Sequence, residues 1–304
     1  MNQPSPMRAD DRLQYWKMNG LGNDFVIADT RTQPFRVRGD LARVLADRQT
    51  GIGCDQVVAL EPSERADLFM RIFNADGTEV GACGNATRCV AVLLAKETGG
   101  RESTIETASG ILRAKALGID TASVDMGAPK FGWLDIPLAH PVDDTTAVFI
   151  GPAGAGAAED DLPALGLASV VNVGNPHCIF WVDDPAAFDL GRIGPALEHH
   201  PLFPERANVS LARVDAPDGI TLRVWERGAG LTKACGTAAC AAAVAAARIG
   251  RADRRVTVNL PGGALDIDWR GDDRIVMTGP VAWEHRGEID VTPEGALAGF
   301  REVD

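Results

Sequence analysis

The chain has 304 residues, of which 45% are hydrophobic and 24% charged, and it carries a formal net charge of −12. That balance fits a folded protein of about two domains, and it argues against nucleic acid or an anionic membrane as partner, because both need a basic footprint. Six cysteines in this length are too few for a disulfide-stapled secreted scaffold.

Residues Met1–Asp11 are polar, carry no apolar signal core and read as a tail. A β-branched and aromatic run, Phe25-Val-Ile-Ala, follows a Gly22-Asn23 turn and predicts a strand. A second strand over Leu68–Phe73 precedes a Gly-bearing loop, and a helix is expected over Asn85–Glu97. Ser103–Thr107 and Leu112–Ala116 read as a hairpin around Gly110, and Phe131-Gly-Trp-Leu as a further β-type run. The Gly-, Ala- and acid-rich stretch 151–161 reads as a loop. Beyond it the grammar repeats. Strands are expected at Ile179–Val182 and Ile220–Trp225, a helix at Thr237–Ile249, a hairpin at Val256–Leu260 and Ala264–Trp269, and a strand at Val281-Ala-Trp. The longest run of apolar and small residues, Ala234–Ala247, is too short to cross a bilayer and fits a buried helix. A cytoplasmic location, with reduced thiols, is the expectation.

One offset of 152 residues, half the chain, aligns the landmarks. Gly22-Asn23 falls on Gly174-Asn175, Gln56 on Asn208, Arg71-Ile-Phe on Arg223-Val-Trp, and Ala82-Cys-Gly on Ala234-Cys-Gly. Gly110 falls on Gly262, and Val124 with Gly127 on Val276 with Gly279. In order and at one spacing, these matches indicate a duplicated domain. The expected architecture is α+β, two pseudo-symmetric domains, each of strands wrapped about a central helix. The first spans residues 12–128 and the second 129–280, and the strand in 281–304 could pack on the first.

Cys83 and Cys235 stand at equivalent positions, each where a Gly-bearing loop opens a helix. A thiol there is placed to ionise, since free amides and the positive dipole end favour thiolate. The amides of Gly84-Asn85 and Gly236-Thr237 lack intrahelical acceptors and could cradle a carboxylate. Such a pair suits inversion at the α-carbon of an amino acid. One thiolate would take the hydrogen from one face while the other thiol returns a proton to the opposite face. Free cysteine ordinarily packs as a small buried hydrophobe, and Cys54, Cys89, Cys178 and Cys240 are read that way. No Cys/His spacing supports a metal site, and no C-x-x-C redox motif is present.

The runs Lys17-Met-Asn-Gly-Leu-Gly-Asn-Asp-Phe, Gly53-Cys-Asp-Gln, Phe73-Asn-Ala-Asp-Gly, Gly81-Ala-Cys-Gly-Asn, Gly174-Asn-Pro-His, Trp225-Glu-Arg-Gly-Ala-Gly and Ala234-Cys-Gly-Thr resemble diaminopimelate epimerase, from about Lys17 to Gly279. The resemblance implies a cofactor-independent, two-thiol isomerase that interconverts LL- and meso-diaminopimelate on the route to lysine and peptidoglycan. It implies that Cys83 takes the proton from the LL isomer and Cys235 from the meso isomer, assisted by His177 and Glu226 respectively. It further implies that Asn23, Gln56, Asn74, Asn175, Asn208 and Arg227 contact the substrate, with Arg227 gripping the distal carboxylate. Asn23 with Asn175 and Gln56 with Asn208 also pair at the repeat offset. Three positions depart from the family pattern: Asn19 stands where His is common, Leu231 where Glu or Gln is, and Ala238 where Gly is. The implied partner is a small-molecule substrate; neither nucleic acid nor membrane is expected, and a homodimer is compatible with the sequence.

The nearest rival is a racemase or epimerase of another amino acid, such as proline or hydroxyproline, on the same fold. Arg227 and the clustered side-chain amides favour a substrate with a second carboxylate. A thiol redox sensor using Cys83 and Cys235, or an amino-acid binding module needing neither thiol, are the non-enzymatic readings. Hydride chemistry is disfavoured, since no G-x-G-x-x-G follows a strand in the required context.

Overall fold

A computed structural model describes residues 12–33, 36–151, 165–292 and 295–303; the tail Met1–Asp11 and residues 152–161 of the expected loop lie outside them. The chain divides into two compact units, Met1–Val124 with Pro280–Asp304, and Asp125–Gly279.

In the first unit, β1 (Arg12–Gly20) and β2 (Asn23–Asp29) form a hairpin. Its two-residue turn places Leu21 and Gly22 at φ of 62° and 83°, the left-handed geometry that matches strand twist in tight hairpins. Asn19, the departure from the family pattern, holds this turn: its Oδ1 accepts from the Gly22 amide at 2.7 Å. After α1 (Gly39–Ala46), β2 pairs in parallel with β3 (Gln56–Glu61), which pairs antiparallel with β4 (Leu68–Asn74). The short β5 (Glu79–Val80) leads into α2 (Gly84–Thr98). β6 (Glu102–Thr107) then runs parallel to β4 and turns into β7 (Gly110–Ala116), followed by β8 (Thr121–Asp125).

The second unit begins with β9 (Val148–Phe149), paired with β10 (Leu167–Asn172). β10 and β11 (Pro176–Trp181) are antiparallel, and β11 pairs in parallel with β12 (Asn208–Ala216) across the intervening α3 (Leu190–Glu198). β13 (Gly219–Glu226) and β14 (Gly230–Thr232) precede α4 (Gly236–Arg248). β15 (Arg255–Leu260), parallel to β13, continues through β16 (Gly263–Trp269) to β17 (Ile275–Pro280). The chain ends in β18 (Ala282–Val291) and β19 (Leu297–Val303), and β18 pairs with β1 in the first unit.

The succession antiparallel, parallel, antiparallel, parallel, antiparallel recurs along β1-β2-β3-β4-β6-β7 and β10-β11-β12-β13-β15-β16. Each unit is a strongly mixed sheet with a central helix, as the repeat implies. In β2, β3, β10 and β11 both faces are covered, and these strands read as continuous apolar runs, whereas β6, β8, β13 and β15 alternate between buried and more exposed positions. Val26, Ala28, Val57 and Ala59 pack with Leu41 and Leu45 of α1. The intervening Phe25, Ile27, Val58 and Leu60 point to the opposite face and are equally buried. In α2 every residue from Asn85 to Leu94 is buried, and in α4 Gly236 and Ala238–Ala246 are. Ala238, another departure, is one of these core positions. Among the described residues no helix is long and apolar enough to cross a membrane.

Two features differ from the sequence pattern. Phe131–Leu134 is not a strand but a chain of turns, in which the Ile136 amide reaches the Gly132 carbonyl at 3.0 Å. Its aromatic content serves stacking instead: the Arg248 guanidinium lies 3.9 Å from the Phe131 ring centroid. Helices α1 and α3, which occupy matching places at the 152-residue offset, are additional to the expected elements; each buries an amphipathic stripe, Leu41, Ala42 and Leu45 in α1 and Leu190, Ile193 and Leu197 in α3. α3 contains Gly191, Gly194 and Pro195, all poor helix formers, and its start is marked only by Asp189 accepting from the Arg192 amide at 3.2 Å.

Candidate active site

In the first unit, Cys83 is the N-cap of α2, in extended backbone conformation. The first intrahelical bond runs from the Thr87 amide to the Cys83 carbonyl at 2.9 Å. The amides of Gly84 and Asn85 therefore precede any helical acceptor. Asn23, which opens β2, places Oδ1 4.0 Å from the Cys83 sulfur and accepts from Asn85 Nδ2 at 3.3 Å. Gln56 opens the parallel β3 and faces Asn74 at the end of β4, with Gln56 Nε2 donating to Asn74 Oδ1 at 3.0 Å. The local fold thus gathers Asn23, Cys83 and Asn85 in one cluster and Gln56 with Asn74 in another, at the same ends of adjacent strands.

A charge network supports the first cluster, and sequence reasoning assigned it no role. Asn23 Nδ2 donates to Asp55 Oδ2 at 3.1 Å, and Arg48 bridges Asp55 and Asp24 at 2.8 Å each. The buried Lys17 ammonium pairs with Asp24 at 2.5 Å and donates to the Gly53 carbonyl. These cations hold the Asp24 carboxyl well below the usual carboxylate range. Lys17, Asp24 and Asp55 sit inside the two Asn- and Asp-bearing motifs near the N-terminus, so charge clustering there was the available signal; Arg48 lies in no motif.

In the second unit, Cys235 is the N-cap of α4 and is only 5% exposed. Its sulfur lies 3.4 Å from Thr237 Oγ1, and the Ala239 amide makes the first helical bond to the Cys235 carbonyl at 3.1 Å. Glu226, the last residue of β13, neighbours the Cys235 thiol and accepts from Thr232 Oγ1 at 2.5 Å. Burial pushes the Cys235 thiol well above its ordinary range, and the neighbouring Glu226 carboxylate pushes it the same way. Burial also raises the Glu226 carboxyl, against the hydrogen bond from Thr232. A thiol beside a carboxylate is placed to pass its proton to it.

His177 on β11 is fully buried beside Asn208 and belongs to the second unit, whereas Cys83 belongs to the first. Its Nε2 is 2.8 Å from Asn175 Oδ1. An amide oxygen only accepts, so the proton sits on Nε2 and the lone pair on Nδ1. Burial, reinforced by Arg227, lowers the imidazole to about 3, which keeps it neutral. Asn208 is committed to the backbone: Nδ2 donates to the Pro176 carbonyl at 3.0 Å, and Oδ1 accepts from the Arg227 amide at 3.0 Å. Arg227 Nη1 donates to the Glu205 carbonyl at 2.9 Å. The guanidinium lines a cleft of about 350 Å³ with Lys130, Asp135, Asn172, Asn175 and Glu205. Leu231, the remaining departure, is 53% exposed on β14.

The model of the diaminopimelate epimerase family matches residues 15–132 and 169–284. A diaminopimelate epimerase of Rhodospirillum centenum is 52% identical over 281 residues, covering 92% of this chain and 93% of that protein. Among solved structures, a predicted epimerase from Pseudomonas aeruginosa is similar with a TM-score of 0.66 at 23% identity, covering 92% of this chain and all of that one. A hydroxyproline epimerase from Agrobacterium vitis, with bound trans-4-hydroxy-L-proline, has a TM-score of 0.62 at 15% identity over 95% and 96% of the two chains. At those identities the structural likenesses establish the fold alone.

Proposed function

The chain belongs to the diaminopimelate epimerase family, and we propose that it interconverts LL- and meso-diaminopimelate without a cofactor, in the cytoplasm, on the route to lysine and peptidoglycan precursors. Each compact unit is one copy of the duplicated domain and supplies one thiol. The observation that carries this reading is the equivalence of Cys83 and Cys235. Each caps a buried helix at the same repeat position, with amides beyond it that have no helical acceptor.

Inversion at a carbon bearing an acidified hydrogen needs a base on one face and an acid on the other. Cys83, as thiolate, takes the α-hydrogen of the LL isomer, and the Cys235 thiol delivers a proton to the opposite face; the meso isomer reverses the roles. Negative charge that develops on the α-carboxylate is met by amides at the helix starts, Gly84-Asn85 and Gly236-Thr237. Glu226 accepts the Cys235 proton when that thiol must serve as base, and its place beside that thiol supports this. The family resemblance assigns His177, whose lone pair lies on Nδ1, the same service for Cys83. Arg227 holds the distal carboxylate, and Asn23, Gln56, Asn74, Asn175 and Asn208 line or brace the substrate contacts.

Incubating the reduced protein with LL-diaminopimelate in D₂O, with no added cofactor, should produce the meso isomer carrying α-deuterium. Lack of exchange would sink the proposal, and exchange at proline or hydroxyproline alone would support the rival racemase.

A further inference from the structure

The buried carboxylate of Glu198, at the C-terminal end of α3, makes contacts that the chemistry above leaves unused. It is 3% exposed and accepts three hydrogen bonds: from Trp225 Nε1 to Oε2 at 2.7 Å, from the Gly228 amide to Oε1 at 3.0 Å, and from Arg206 Nη1 to Oε1 at 3.2 Å. Its own carbonyl accepts from the Ala207 amide at 3.3 Å. Trp225 and Gly228 bracket Glu226-Arg227 on both sides, and Arg206-Ala207 lead directly into Asn208. One side chain therefore ties down both chain segments that carry the proposed second-unit site.

We propose that Glu198 is a positioning residue that sets the Glu226-Arg227 turn, and with it the presentation of the Arg227 guanidinium to a substrate carboxylate; this rests on the site reading given above. The β13–β14 pairing and the Ala229 amide, 3.1 Å from the Glu226 carbonyl, close the turn on itself, whereas the holds on Arg227 come from elsewhere. The Arg227 amide goes to Asn208 Oδ1 and its Nη1 to the Glu205 carbonyl, so each hold on Arg227 starts from the segment that Glu198 also fixes. A buried carboxylate with three donors is a stiff anchor, because releasing any one donor leaves charge less compensated in a low-dielectric setting. The place is also specific to this half. At the repeat offset Glu198 falls on Ala46, Arg227 on Ala75 and Gly228 on Asp76, so the first unit has neither the anchor nor the cation that it orients.

The test compares wild type with Glu198→Gln, Glu198→Ala, Trp225→Phe, Arg227→Ala and the Glu198→Gln/Arg227→Ala double variant, using LL-diaminopimelate. Glu198→Gln keeps the volume but cannot accept all three donors, and kcat/KM should fall by at least about tenfold, mainly through KM. Trp225→Phe, which removes one donor, should lose only about two- to fivefold. In the Arg227→Ala background, Glu198→Gln should cost less than about threefold more, since the residue it orients is gone. A folded Glu198→Gln with wild-type kcat and KM, or full multiplicative loss in the double variant, would overturn the proposal. If neither Glu198 variant folds, an unchanged KM in Trp225→Phe overturns it. An inactive wild type or an unimpaired Arg227→Ala would instead refute the underlying site reading. Amide hydrogen exchange then still decides whether Glu198 holds the turn: Gly228 should exchange at least about tenfold faster in Glu198→Gln or in Trp225→Phe, and unaltered exchange overturns the claim.

Discussion

Replacing Gly194 with Ala sets two effects of known size against each other. Gly194 lies inside α3, and a helix interior ordinarily gains about 1 kcal/mol from Gly→Ala. Here the added Cβ would lie 2.5 Å from both Cγ and Cδ2 of Trp225, and 2.9 Å from its Cβ. Carbon atoms pack at about 3.5–4.0 Å, so helix and indole must separate by about 1 Å. Trp225 cannot easily yield. Its Nε1 is held by Glu198 at 2.7 Å, its backbone pairs with Val209 and Leu231, and Gly230 closes the far side of the ring.

Overpacking of this kind costs about 1–3 kcal/mol, which meets or exceeds the propensity gain. The expected net effect is a loss of up to about 2 kcal/mol, or a Tm lower by up to about 8 °C at about 2–4 °C per kcal/mol. Activity should suffer more than stability, because Trp225 adjoins Glu226, and a shift of about 1 Å in a reacting group can cost about a hundredfold. Thermal unfolding followed by circular dichroism, alongside kcat for the epimerisation, measures both. A Gly194→Ala protein with raised Tm and wild-type kcat would show that α3 is free to move away, and the wedge argument would be wrong.

Cys83→Ser and Cys235→Ser should each lose inversion by more than about a hundredfold, read as the rate of meso product formed in D₂O; wild-type inversion from either would refute the two-thiol reading. Thr232→Val removes a hydroxyl that stabilises the ionised Glu226, so that carboxyl should titrate higher than in the wild type. The acidic limb of the kcat/KM profile should move up with it, and an unmoved limb would count against Glu226 as the proton acceptor. His177, lowered to about 3 by burial and Arg227, binds its extra proton in the unfolded chain first. Its contribution is therefore complete above about pH 6.5 and lost as pH falls toward about 3, at up to about 1.4 kcal/mol per pH unit. His177→Asn should flatten that slope in denaturant unfolding between those limits; an identical slope would mean His177 is not held neutral.

The parts of the fold legible in the sequence are those buried on both sides. α4 and the strands β2, β3, β10 and β11 are mostly apolar or small because they are covered on all sides, α2 carries a buried apolar run from Cys89 to Leu94, and the 152-residue offset repeats these signals. α3 is obscured despite its Leu190, Ile193 and Leu197 stripe, because Gly194 is there for the Trp225 ring rather than for the helix. Phe131–Leu134 was misread because its aromatic character answers to Arg248 and not to a pleat.

The site follows the same division. Cys83 with Cys235, Asn23 with Asn175, and Gln56 with Asn208 obey the repeat, so the offset supports the asparagine and glutamine positions that the family resemblance implies. It did not identify what they do. Gln56 donates to the Asn74 side chain, while its counterpart Asn208 holds the backbone of Arg227. The difference arises because the second half has diverged around it. Glu226 stands opposite Asn74, Arg227 opposite Ala75, His177 opposite Phe25 and Glu198 opposite Ala46. Every one of those four departures introduces a charged or titratable group. On the proposed reading, the residues that kept the symmetry serve a carbon that must be approached equally from two faces. Of those that broke it, Glu226 and His177 serve the two thiols, and Arg227, with Glu198 behind it, serves the end of the substrate that must be recognised in one sense only.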